Sequence, residues 1–98
     1  MGEQRLDRRG VRVRIEGVVQ GVGYRFWTER VAGDLGLTGW VRNRRDGSVE
    51  ALFCGPDGHV CDMLERCKRG PASARVTVVK ILAEDDRAPA TFAVLPTA

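Results

Sequence analysis

Val11-Arg12-Val13-Arg14-Ile15-Glu16-Gly17-Val18-Val19-Gln20-Gly21-Val22-Gly23-Tyr24-Arg25 is the stretch that decides how this chain reads. Val11, Val13 and Ile15 alternate with Arg12, Arg14 and Glu16, the period of two that marks a strand with one buried face. Gly17 to Gly23 then reads as a glycine-punctuated loop. From Tyr24 the period changes: Phe26, Trp27, Val31 and Leu35, with Glu29 and Arg30 between them, fit a helix with one apolar face. Arg25 falls in the first turn of that helix. A cation there opposes the helix dipole by roughly 0.3–1 kcal/mol, and an anion held by the loop amides and the guanidinium fork would reverse that sign. On these residues alone two readings stand: an anion cradle, or a plain strand-to-helix connection with Arg25 in solvent.

Working outward, Thr38–Arg44 and Ser48–Cys54 are rich in β-formers and flank Asp46-Gly47, a strong hairpin signal. Val60, Met63, Leu64 and Cys67 follow Asp57 at the spacing of a core-facing helix, which Gly70-Pro71 ends. Arg75–Leu82 is a β-branched fourth strand. Glu84–Ala90 is a charged loop, and Thr91–Leu95 is a short fifth strand at an edge, closed by Pro96. The order βαββαβ with a final short strand predicts an α+β, ferredoxin-like split βαβ sandwich: an antiparallel sheet with two helices on one face. Right-handed crossovers place the first and third strands side by side in its middle.

With 98 residues the chain has room for one small two-layer domain. Met1–Gly10 is charged and without an apolar stretch, so it reads as a flexible tail on residues 11–98 and not as a secretory leader. No apolar run approaches a membrane span, and a cytoplasmic monomer is expected. Cys54, Cys61 and Cys67 are odd in number and lack a CxxC pair, so they are expected as reduced, space-filling thiols rather than a disulfide framework or metal set. His59 beside Cys61 lacks a third partner at useful spacing. The net charge of +3 favours an anionic ligand without establishing a nucleic acid partner.

Asn43 is the second local anomaly, since asparagine is depleted in strands and here follows Trp40-Val41-Arg42. It either begins the hairpin turn or marks a site. Gly17-Val18-Val19-Gln20-Gly21-Val22-Gly23-Tyr24-Arg25 and Gly39-Trp40-Val41-Arg42-Asn43, followed by Asp46-Gly47-Ser48-Val49-Glu50, closely resemble the two signature regions of the acylphosphatase family. The resemblance runs over residues 11–82. Tyr24 stands where phenylalanine is more usual, a change expected to be harmless, and Phe92–Leu95 lacks the family's polar and aromatic ending.

The resemblance implies hydrolysis of the carboxyl–phosphate bond of a small acyl phosphate, with no cofactor or metal. It implies that Arg25 binds the phosphoryl group together with the backbone amides of Gln20, Gly21, Val22, Gly23 and Tyr24, and that Asn43 orients the attacking water. The chemistry suits such residues. Phosphoryl transfer needs mainly positioning and charge stabilisation, and a carboxylate leaving group, with a conjugate-acid pKa of roughly 4–5, departs without a general acid.

Two other readings use the same fold. An RNA-binding module would need aromatic and basic residues along Ser48–Cys54, which instead offers Glu50 and one aromatic, Phe53. A relative of the N-terminal domain of hydrogenase-maturation carbamoyltransferases would belong to a far longer protein.

Overall fold

The structure, a computed structural model, describes residues 8–98. In chain order the elements are β1 (Arg8–Val18), α1 (Tyr24–Asp34), β2 (Thr38–Asn43), β3 (Val49–Pro56), α2 (Asp57–Cys67), β4 (Arg75–Glu84) and β5 (Phe92–Val94). They form one five-stranded sheet in the order β4-β1-β3-β2-β5, with β1 and β3 central. The pairs β4–β1, β1–β3 and β3–β2 are antiparallel, as expected. The short edge strand departs from that pattern: β5 lies parallel to β2, so the sheet is mixed.

The period-two residues fix the layers. Val11, Val13 and Ile15 of β1, Val41 of β2, and Val49, Ala51 and Phe53 of β3 turn to one face. There they form a single core with Val31 and Ala32 of α1 and Val60, Met63 and Cys67 of α2. Cys54 and Cys67 are buried, as expected, whereas Cys61 is exposed on α2 and fills no space.

Three other expectations are corrected. Residues 8–10, assigned to the tail, belong to β1, where Arg8, Arg9 and Gly10 pair with Pro56, Gly55 and Cys54. An ion pair of 3.1 Å from Arg9 to Glu84 covers this end of the strand. The rest of the expected tail, residues 1–7, lies outside the described residues. Gly17 and Val18, expected in the loop, still pair with Val76 and Arg75. In α1 the buried positions are Tyr24, Thr28, Val31 and Ala32, and Phe26 is 70% exposed. Thr28 can join the buried stripe because its hydroxyl donates to the Tyr24 carbonyl one turn back, at 2.8 Å. Phe26 then falls on the far side of the helix.

Tyr24 ties the start of α1 to the end of α2. Its ring is buried, and its hydroxyl donates to the Cys67 carbonyl at 2.7 Å, one of the last-turn oxygens that a helix leaves without an internal partner. Burial is the main cause of a strong upward shift of the phenol, which therefore stays a donor. Gly70, at φ 66°, lets the chain turn directly against this ring, since a Cβ there would come within 2.6 Å of Cε2. Tyrosine at this position is thus a hydrogen-bonding brace as well as a packing group.

The opposite sheet face carries charge. Glu50, 4% exposed, receives hydrogen bonds of 2.9 Å from each of Arg12, Arg42 and Arg44. Burial pushes its carboxyl up, but the three guanidiniums outweigh that and hold it below the ordinary value of 4.5. No helix among the described residues is long and apolar enough to cross a membrane.

Two stability predictions follow from these contacts. Tyr24→Phe should lower unfolding free energy by about 1 kcal/mol, the net worth of a neutral hydrogen bond, as read from urea midpoints. Glu50→Gln should cost about 1–3 kcal/mol at pH 7, because three guanidiniums lose their shared anion. A depressed folded-state pKa stabilises fully above the unfolded-chain value of about 4.3, and the benefit disappears as pH falls through the lower folded value. The gap between wild type and Glu50→Gln should therefore narrow between pH 7 and pH 3. A gap of equal size at both pH values would refute the assignment.

Candidate active site

β1 and β2 both run antiparallel to β3, so they point the same way, and their C-terminal ends lie at the same end of the sheet, on either side of β3. Ile15, Val49 and Asn43 share a row across the three strands. Two strand spacings separate Ile15 from Asn43, roughly 10 Å. The loop that leaves β1 therefore arrives beside the last residue of β2.

That loop spans residues 19–23. Gly21 and Gly23 hold φ of 74° and 80°, the left-handed region that glycine enters without strain. A Cβ at either would meet nothing within 4 Å, so backbone conformation, not crowding, calls for glycine. Gly23 is the N-cap of α1, no side chain caps the helix, and its first turn holds no acidic residue. Among the described residues, the N–H groups of Gln20, Gly21, Val22 and Gly23 donate to no protein acceptor. Arg25, partly exposed, forms no ion pair among the described residues, in contrast to Arg12, Arg14, Arg42 and Arg44. The result is a concentration of free donors and positive charge with no internal anion.

Asn43 is the last residue of β2 and remains in the ladder, opposite Val49. Alternation along β2 puts its side chain on the same face as buried Val41, the face from which the loop rises. Its Oδ1 is buried and has no hydrogen-bond partner among the described residues. A buried acceptor left unpaired costs about 1–3 kcal/mol, so such a position calls for a ligand or a water.

A pocket of about 200 Å³ joins these groups and is lined by Val19, Gln20, Gly21, Gly23, Tyr24, Arg25, Phe26 and Asn43. Of the residues singled out from sequence, it brings together Gln20, Gly21, Gly23, Tyr24, Arg25 and Asn43. Val22 does not line it and packs against the core instead. Phe26 was missed as a pocket wall, because the sequence reading had counted it among the core residues of α1. The Gln20 side chain was missed too: its Nε2 donates to the carbonyls of Arg44 and Ser48 at 2.7 and 2.8 Å. Nothing in the sequence signals that contact.

His59 and Cys61 are exposed on α2 and line no part of this pocket. Burial pushes the Cys67 thiol up to about 12, which leaves it a neutral packing group. Among the described residues no three His, Cys, Asp or Glu side chains gather as a metal-holding set. The lining thus offers amide donors, one guanidinium and one unpaired carboxamide oxygen. Such a set can hold a phosphoryl group and orient a small hydroxylic molecule beside it.

Comparison with known proteins identifies the family. The sequence profile of the family described as Acylphosphatase matches residues 11–94. An acylphosphatase of Bradyrhizobium diazoefficiens is 52% identical over 98 aligned residues, covering 94% of this chain and 99% of that protein. The structure of an acylphosphatase from Coxiella burnetii superposes with a TM-score of 0.84 at 31% identity, covering 97% of this chain and all of that one. Full-length HypF, in its phosphate- and nucleotide-bound form, gives a TM-score of 0.83 at 20% identity. That match covers 92% of this chain but 12% of HypF, and it is a likeness of fold alone. A glycine loop, a free arginine and a strand-end asparagine on a split βαβ sheet are therefore found in a chain that belongs to the acylphosphatase family.

Proposed function

We propose that this pocket hydrolyses the carboxyl–phosphate bond of acyl phosphates, water and the acyl phosphate giving a carboxylate and inorganic phosphate. Arg25 and the amides of Gln20 to Tyr24 hold the phosphoryl oxygens, and Asn43 orients the water. The observation that carries this reading is a buried Asn43 Oδ1 in the same pocket as Arg25, the oxygen without a hydrogen-bond partner and the arginine without a counter-ion among the described residues. A carboxamide oxygen accepts a hydrogen from water. It thereby turns a water lone pair toward whatever the arginine and the amides hold, without removing the proton.

The division of labour follows from charge. In the transition state negative charge spreads over the equatorial phosphoryl oxygens, and preorganised donors at a helix N-terminus are placed to stabilise it. The departing carboxylate needs no proton, so a site lined by no His, Asp or Glu is chemically sufficient.

The direct test is release of acetate and phosphate from acetyl phosphate by purified protein in excess EDTA, with Arg25→Ala alongside and carbamoyl phosphate as a second substrate. Hydrolysis that persists in EDTA and disappears in the variant supports the reading; an inactive but folded wild type refutes it. Arg25→Lys keeps the charge and loses the two-pronged fork, and should lower kcat/KM about ten-fold or more. Wild-type efficiency in that variant would remove the guanidinium from the mechanism. Asn43→Ala should depress kcat by more than it weakens inhibition by inorganic phosphate, since it removes water orientation and leaves the cradle. Equal losses would assign Asn43 to binding.

A further inference from the structure

The loop that carries the free amides and the hairpin that carries Asn43 belong to different parts of the chain. Among the described residues, one side chain alone joins them by hydrogen bonds. Gln20 Nε2 donates to the Arg44 carbonyl at 2.7 Å and to the Ser48 carbonyl at 2.8 Å. A carboxamide nitrogen has two hydrogens, and both are used. The two carbonyls flank the turn of the β2–β3 hairpin, and Arg44 directly follows Asn43. The hairpin itself is well fixed from elsewhere. The Arg44 N–H donates to the Ser48 carbonyl at 2.8 Å, and Asp46 Oδ1 accepts from the Ser48 N–H and hydroxyl at 2.9 and 2.6 Å. On the outer side the Ala98 N–H donates to the Asn43 carbonyl at 3.0 Å. The loop is anchored to the core by Val19 and Val22, but among the described residues its backbone enters the hydrogen-bond network only where the Gly23 carbonyl receives the Trp27 N–H at 3.0 Å.

We infer that the Gln20 side chain is a positioning residue for the reaction: it sets the separation between the phosphoryl cradle and the Asn43 side chain. The inference rests on the roles proposed above for the cradle and for Asn43. Its function is distinct from theirs, since the carboxamide spends both of its donors on protein carbonyls. Without it, the loop can still gather around a phosphoryl group, because its amides and Arg25 move with α1. The registration of that group against a water held by Asn43 is what slackens. A small displacement between a nucleophile and its target lowers turnover far more than it lowers binding.

Gln20→Met keeps the length of the side chain and deletes both hydrogen bonds. It should lower kcat about ten-fold, while the inhibition constant for inorganic phosphate moves by less than about three-fold. The decisive measurement is a double-mutant cycle with Asn43→Ala. If Gln20 acts through Asn43, adding Gln20→Met to Asn43→Ala should change kcat by less than about two-fold. Gln20→Glu supplies a second readout that loosened packing would not move. Its carboxylate faces two carbonyls and an anion site, which raise its pKa above the ordinary carboxyl range of about 4–5, so activity should be low where the group is ionised and recover as the pH falls through that raised value. Circular dichroism and thermal midpoints establish that each variant is folded.

Wild-type kcat in Gln20→Met, parallel loss of phosphate affinity and turnover, or full additivity with Asn43→Ala would each overturn the inference. Wild-type kcat in Asn43→Ala alone would instead sink the reading of Asn43 on which it rests, so the two failures are told apart.

Discussion

The candidate pocket depends on one feature of the sheet, the antiparallel pairing of both β1 and β2 with β3. Because β3 stands between them in the opposite sense, β1 and β2 finish at the same end of the sheet. The row Ile15–Val49–Asn43 brings the loop after β1 to the end of β2. A one-residue slip in either pairing would turn Val11, Val13 and Ile15, or Asn43 itself, to the wrong face. The buried faces of β1 and β3 hold against such a slip, so the same apolar contacts that stabilise the domain also fix the geometry of the site.

Charge is distributed with the same logic. On the open sheet face the one Glu50 carboxylate is shared by Arg12, Arg42 and Arg44, and Arg14 is paired with Glu16 and Asp46. Each of those arginines has an internal carboxylate partner. Arg25 sits at the uncapped N-terminus of α1, where local rules favour an acid, and has no partner among the described residues. Asn43 breaks the corresponding rule for strands and leaves a buried oxygen unpaired. Two local penalties in one pocket mark where binding, not folding, has shaped the sequence.

Much of this was legible in the sequence because it rests on local periodicity. The alternation in Val11–Glu16, the spacing of Val60, Met63, Leu64 and Cys67, and the Asp46-Gly47 turn each specify an element by themselves. The order of those elements then leaves few topologies open. What was not legible depends on contacts between distant segments. Phe26 satisfied the helical period as well as its neighbours did, and only the position of Tyr24 against Gly70 and Cys67 shows which stripe faces inward. The parallel pairing of β5 and the entry of Arg8–Gly10 into β1 are set by what their partners leave open, Gly39–Val41 in one case and Cys54–Pro56 in the other. The Gln20 bridge joins residues 24 and 28 positions apart in sequence and leaves no local trace.

The chemistry explains why a domain this small is sufficient. An enzyme that must protonate its leaving group needs an acid with a tuned pKa, held where burial or close charges shift it. A carboxylate leaving group removes that demand, and a phosphoryl group brings its own charge for fixed donors to hold. What remains is orientation, which main-chain amides, one guanidinium and one carboxamide can provide if the elements bearing them are rigid. The tasks of folding and catalysis then converge on the same strand pairs.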